Sequence, residues 1–262
     1  MSERAIVRDQ MWKQADTLRQ RRAWRKPLDT LRTKWGTIPL HDRRARSAEL
    51  LELPDGELVE LWRKQRDLDG VFDVRGWYRL LYRDTVPGKR ILDIGCGFAF
   101  DSLTFAELGA HLTLVDIVED NVRLVARLAD LLGLTVETAY MKTVDTLAGL
   151  PDDFDVVMAI GSLHNAPESV MRPEYQELTR RLRPGGRWWQ LAYPKFRWER
   201  EGSLPFDEWG PKVDGPGTPW EEWLDVPRLL DFLAPARFEL VFYTEWHNQD
   251  FNWFDLVLRE PA

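Results

Sequence analysis

The sequence predicts an α/β fold, a mainly parallel sheet behind an N-terminal helical cap. From residue 88 onward short apolar runs alternate with amphipathic segments of helical period, the pattern of βαβ units. No strand-like run precedes residue 86. A glycine-rich turn, "DIGCG" (93–97), closes the first apolar run, so a loop of close backbone approach sits at the carboxyl edge of the sheet, where open α/β folds bind their ligands.

The cap spans residues 1–86 and the core 87–262. In "DGELVELWRKQRDLD" the residues Leu58, Leu61, Trp62 and Leu68 fall on one helical stripe, with Asp55 as N-cap after Pro54. "RGWYRLLYRD" repeats that spacing with Trp77, Leu80, Leu81 and Tyr82. The core opens with strand "RILDIG" and helix "DSLTFAELG", ended by Gly109. Strand "HLTLVDI", helix "EDNVRLVARLADLLG" and strand "TVETAYM" follow. "DFDVVMAIG" is the fourth strand, a helix over about 167–183 stops at "RPGG", and "RWWQLAYP" is the fifth. Such crossovers are right-handed, which gathers the loops after the strands on one edge. The segment of about 194–225 is rich in Gly, Pro, Trp and acids, has no clear period, and reads as a lid. A helix around "VPRLLDFL" and two strands separated by "HNQD" close the chain as an antiparallel hairpin.

Composition narrows the function classes. "MSERAIVRDQ" has no apolar h-region and no run approaches the ~18 apolar residues of a membrane span, so a cytoplasmic protein is expected. Cys96 is the sole cysteine, which excludes an internal disulfide. Residues 1–50 hold 13 Lys and Arg against 6 Asp and Glu, a surplus of +7 that leaves −14 for the rest of a chain whose total is −7. A basic arm of this length suits a solvated helical face better than a nucleic-acid grip, and the acidic body argues against binding an RNA backbone.

The glycine turn specifies what kind of ligand is expected. Gly95 and Gly97 occupy two places of a dinucleotide fingerprint, but Phe100 stands where the third glycine lets helix and strand close on a pyrophosphate. A nucleoside without phosphates does not need that glycine. Asp116 ends the second strand 19 residues after Gly97, where an acid accepts hydrogen bonds from ribose hydroxyls. Asp93, at the end of the first strand, suits a positive group. A ribose with a cationic group and no phosphate describes S-adenosylmethionine; an NAD-dependent or non-catalytic nucleoside binder is the alternative.

Together, "ILDIGCGFAFDSLTFAELGAHLTLVDI", "DDFDVVMAIGSLHN" and "RRLRPGGRWWQLAYP" resemble the class I S-adenosylmethionine-dependent methyltransferases over about residues 88–193. The resemblance implies a Rossmann-like, seven-stranded, mostly parallel sheet with an antiparallel last strand. It also implies that Gly95, Cys96 and Gly97 pass beneath the methionine part, which Asp93 helps place. Asp116 would then hold the ribose, Ile117 flank adenine, Met141 and Lys142 lie near the adenine edge, and Gly161 begin the loop beside the sulfonium. One departure stands out: many members carry an acid for the adenine amino group at the end of the third strand, and here that region reads "AYMKTVD".

The acceptor-facing loop of the family corresponds to "GSLHNAP". It lacks the Pro-Pro-aromatic motif of base amine methylases, the thiolate of pyrimidine ring-carbon methylases and the clustered acids of the metal-dependent catechol type, so no metal is expected. A small-molecule or saccharide acceptor in biosynthesis is the leading expectation, with an RNA methyltransferase using the basic arm as the rival. His164 is the candidate general base, with Asn165 beside it and Tyr193 as a second polar group on the same edge. Trp198 and Trp209 of the lid could stack on a sugar or hold an amine. Tyr78 or Tyr82 could close over the cofactor carboxylate, supported by Arg75 or Arg79. Nothing in the sequence sets the oligomeric state.

Overall fold

The computed structural model describes residues 27–68 and 75–261. The basic stretch "RQRRAWRK" (19–26) lies outside the described residues. In chain order the first part holds α1 (27–35), β1 (Thr37–Pro39), β2 (Arg44–Arg46), α2 (Ser47–Leu51), α3 (Asp55–Asp67) and α4 (Trp77–Tyr82). The core alternates β3 (Arg90–Ile94), α5 (Phe100–Glu107), β4 (His111–Asp116), α6 (Glu119–Leu132), β5 (Val136–Tyr140), α7 (Asp145–Ala148), β6 (Phe154–Ile160), α8 (Glu168–Thr179) and β7 (Leu182–Ala192). It ends with α9 (Lys195–Arg200), α10 (Phe206–Asp214), α11 (Val226–Leu233), β8 (Arg237–Trp246) and β9 (Phe251–Glu260).

Seven strands form one sheet in the order β5-β4-β3-β6-β7-β9-β8. The first five run parallel; β9 pairs antiparallel with β7, from Arg187 opposite Val257 to Ala192 opposite Asn252, and β8 pairs antiparallel with β9. Strand order reverses beside β3, so the loops after β3 and β6 diverge there and leave a crevice at the carboxyl edge.

Both faces of the sheet are covered, which is why the central strands read as continuous apolar runs. One face packs Leu103 and Phe105 of α5 and Leu124, Val125 and Leu128 of α6 against β3 and β4. Trp62 of α3 and Tyr78 and Tyr82 of α4 join that same core. The other face packs Met171 and Tyr175 of α8 and Phe232 of α11 on Trp188, and α1 adds Leu28 and Leu31. Helix α11 starts where Asp225 accepts a hydrogen bond from the Arg228 N–H (2.8 Å).

Five local expectations are corrected. The first part contains strands, the three-residue pair β1–β2, too short to show a period. Asp55 is the first residue of α3 and Pro54 its cap, without a side-chain bond. In α4 the buried residues are Tyr78, Arg79 and Tyr82, while Leu80 and Leu81 are exposed, so the helix is rotated from the stripe the leucines suggested. β7 begins at Leu182 and takes in "RPGG", which was expected to be a turn. The periodless lid contains two short helices, α9 and α10. Among the described residues no helix is long and apolar enough to cross a membrane.

Candidate functional site

The turn after β3 sets the site. Gly95 and Gly97 hold φ of +75° and +54°, the left-handed region that favours glycine. A Cβ on Gly95 would also stand 2.6 Å from the Ser162 Cβ, so the loops after β3 and β6 touch only because that atom is missing. Asp116, at the end of β4, accepts from the Gly97 N–H (2.9 Å) and the Val118 N–H (2.8 Å). It therefore braces the turn as well as facing the cavity. Burial raises its pKa, and those backbone donors pull it back. Phe100 opens α5 and packs on Phe98 (5.3 Å) and Trp62 (6.5 Å), whose indole donates to the Phe98 carbonyl (3.0 Å). Where a dinucleotide fold carries glycine, this chain ties its glycine loop to α3.

Two contiguous cavities open on this turn and share Gly95, Gly97 and Gly161, with Trp35, Ile38 and Pro39 over them. The first, about 760 Å³, runs past Asp116, Ile117 and Asn165 to an apolar end at Leu28, Leu31, Val170 and Met171. The second, about 880 Å³, runs past Asp93 and Cys96 to Arg75, Tyr193 and Asp214.

Cap residues roof the first cavity. The Arg32 guanidinium donates to the carbonyls of Ile117 (3.0 Å), Met141 (3.2 Å) and Lys142 (2.6 Å), tying α1 to the loops after β4 and β5. At the junction Asp93 accepts from the Ser102 hydroxyl. Its burial pushes the carboxyl up to about 7, with Asp101 and Asp116 adding to the rise. The Arg75 guanidinium faces the second cavity with no hydrogen bond or ion pair among the described residues, only the Phe251 ring at 5.9 Å.

A buried polar cluster closes the far end of the second cavity. The Tyr193 hydroxyl donates to Asp214 (3.2 Å). Burial alone would raise the Asp214 carboxyl, but its hydrogen bond with Glu221, the nearby Arg75 charge and the Tyr193 hydroxyl outweigh it and hold it below the ordinary value. Glu221 is driven well up by burial and the neighbouring Asp214, so it is the protonated partner of the two. His164 Nδ1 lies 2.6 Å from Glu221 Oε1 and its ring meets Tyr193 edge-on at 4.9 Å. Burial lowers its pKa to about 4, leaving a neutral imidazole. Lys34 of α1 donates to the Asp214 (2.7 Å) and Pro216 (3.2 Å) carbonyls and so fixes the C-terminus of α10.

The structure brings together Asp93, Gly95, Cys96, Gly97, Asp116, Ile117, Gly161, Asn165 and Tyr193 on the cavity walls. Met141 is in the core behind the first cavity, reaching the site through its N–H on the Asp116 carbonyl (2.8 Å). Lys142 lines neither cavity. His164 is 2% exposed, behind Tyr193 rather than on the wall. Tyr78 also stands behind the wall, donating to Asp101 (3.0 Å) and stacked on Trp253 at 4.2 Å. Tyr82 is elsewhere: it donates to Asp255 on β9 (2.7 Å) and stacks on Trp189, so it does not close over a cofactor carboxylate. Trp198 and Trp209 are the lid's own core, donating to the Leu204 carbonyl and to Glu201. Sequence reasoning missed Arg32, Trp35, Asp214 and Glu174. Ser102, nine residues after Asp93 and inside the next helix, was findable from spacing. Among the described residues no group of three or more His, Cys, Asp or Glu is placed to hold a metal ion.

A doubly wound sheet thus presents a glycine turn and a cavity-facing acid at its carboxyl edge. Residues 91–186 match a family model described as a methyltransferase domain. The ubiquinone biosynthesis O-methyltransferase of Xylella fastidiosa (strain M23) is 34% identical over 106 residues, 40% of this chain and 42% of that protein. The chain thus spans less than half the length of this relative. Among solved structures, an N-methyltransferase of Bradyrhizobium japonicum with bound S-adenosyl-L-homocysteine aligns with TM-score 0.54 at 15% identity, covering 82% of this chain and 97% of that one. A 1,6-didemethyltoxoflavin-N1-methyltransferase of Burkholderia thailandensis aligns with TM-score 0.53 at 20% identity, covering 86% and 95%. Over residues 91–186 the chain is similar to methyltransferase domains, and it shares its fold with solved methyltransferase structures.

Proposed function

We propose that the protein transfers a methyl group from S-adenosylmethionine to an oxygen or nitrogen of a small polar acceptor. The observation that carries this reading is the pair of contiguous cavities meeting at Gly95 and Gly97, with Asp116 lining one and Arg75, which has no ion pair among the described residues, lining the other. Asp116 takes the ribose hydroxyls, Arg75 the methionine carboxylate and Asp93 the methionine ammonium. When bound, the cofactor supplies an electrophilic methyl on sulfur and leaves as the neutral thioether. The chain aligns the acceptor and excludes water, which is most of what an in-line displacement requires. Asp214, ionised and held by Tyr193, is placed to orient a hydroxyl or amine and to take its proton. His164 acts behind it as a positioning residue through Glu221 and Tyr193.

Two observations narrow the acceptor. Trp198 and Trp209 are packed within the lid, which removes the stacking faces that favoured a saccharide. Arg32 and Lys34 turn inward onto backbone carbonyls, which weakens the RNA reading. Calorimetry of the full chain with S-adenosylmethionine, S-adenosylhomocysteine and NAD tests the cofactor: heat is expected with both sulfur nucleosides and none with NAD. Silence with both at about a millimolar would sink the proposal.

A further inference from the structure

Glu174 is a buried acid in the first cavity that no group among the described residues satisfies. It lies on α8, four residues after Val170 and three after Met171, so all three share one helical face, and all three line the cavity. It is 8% exposed and has no hydrogen bond or ion pair among the described residues. Around it the wall is apolar: Leu28 and Leu31 from α1, Ala166, Val170 and Met171. An acid kept in such a place without a partner costs stability unless a ligand supplies one.

The order of groups along the site says which part of the ligand arrives there. Arg75 and Asp93 mark the amino-acid end, Gly95 and Gly97 the crossing, Asp116 the ribose, and the apolar end with Glu174 lies beyond the ribose. A flat purine has apolar faces for Leu31, Ile117 and Met171, and a polar edge that needs a donor and an acceptor. The end of β5 offers no acid for that edge: Met141 is in the core and Lys142 lines neither cavity.

We propose that Glu174, on α8, reads the adenine edge of the cofactor, accepting from its exocyclic amine and donating to the adjacent ring nitrogen. The inference rests on the S-adenosylmethionine reading above. Desolvation pushes the carboxyl up to about 8, so at neutral pH it is an acid with one donor and one acceptor, the pattern complementary to adenine's N6 amine and N1. A purine without the 6-amine removes the donor to the carboxyl oxygen and leaves that oxygen unpaired.

Calorimetry of the full chain with S-adenosylhomocysteine and its analogue lacking the 6-amine of the purine tests this. The wild type is expected to prefer the adenine compound by tenfold or more, and Glu174→Leu to weaken its binding by about ten- to a hundredfold and erase the preference. Glu174→Gln, whose amide also carries a donor and an acceptor, is expected to keep both affinity and preference, which a merely structural role would not produce. Equal affinity of Glu174→Leu and wild type for the adenine compound, with the preference intact, overturns the assignment while leaving the cofactor reading standing. If Glu174→Leu fails to fold, the wild type decides: equal binding of the two compounds overturns it. No binding of S-adenosylhomocysteine by the wild type would instead remove the cofactor reading itself.

Discussion

At the cofactor end, Asp93 has one hydroxyl for a partner and Glu174 has none, and burial pushes both carboxyls up, to about 7 and about 8. At the acceptor end, Asp214 is half-buried and surrounded by Tyr193, Glu221, His164 and Arg75, and its carboxyl is held down. The first region keeps acids that are short of partners among the described residues. The second gives Asp214 partners of its own. Polar groups left incomplete in a folded chain mark where a ligand completes them, whereas a satisfied cluster is preorganised for chemistry. Substituting one acid at a time breaks this contrast at chosen points.

The largest effect is expected at the completed end. Asp214→Asn keeps the shape and the Tyr193 contact but removes the charge and the proton acceptor. Turnover should fall by roughly 10²–10³-fold while S-adenosylhomocysteine affinity stays within a factor of about two. Steady-state kinetics beside calorimetry measure both. Unchanged turnover would assign the proton to another group or show that the acceptor loses none.

Next comes Asp116, which braces the turn and, in the proposed function, takes the ribose. Asp116→Ala should weaken S-adenosylhomocysteine by about fifty- to a hundredfold, since charged hydrogen bonds to hydroxyls disappear and the Gly97 N–H loses its acceptor. Unchanged affinity would mean that the ribose lies elsewhere.

The same contrast explains what could be read from the sequence. The cofactor turn is local: Asp93, Gly95, Gly97 and Asp116 lie within one βαβ unit, and strand and helix periods place them on one edge without any tertiary information. The acceptor cluster is assembled from separated segments: Lys34 from α1, Arg75 before α4, His164 after β6, Tyr193 after β7, and Asp214 and Glu221 from the lid. No spacing links them. Glu174 was hidden differently, because an acid in an amphipathic helix reads as a solvent-facing residue until α1 is known to cover it. The lid tryptophans misled in the opposite sense. Aromatic density was read as a binding surface, but a segment with little other apolar content uses those rings to build its own core.

Asp93 gives the smallest of the three effects, and its sign follows from burial. Its folded pKa of about 7 stands above the 3.8 of an ordinary aspartate, so between those values the folded chain binds a proton that the unfolded chain has lost. The resulting contribution to stability is fully present below about 3.8 and is lost as pH rises through about 7. Between pH 5 and pH 7 the loss should be about 2 kcal/mol. Asp93→Asn does not titrate and can still accept from Ser102, so its stability relative to wild type should grow by that amount over the same interval. Urea titrations of both proteins without cofactor, at the two pH values, measure the difference directly. Saturating S-adenosylhomocysteine should shrink it, because an ammonium beside Asp93 restores the charged form in wild type alone. Parallel pH dependence in the two proteins would show that Asp93 already has its partner within the fold, and the contrast between the two ends would no longer hold at this residue.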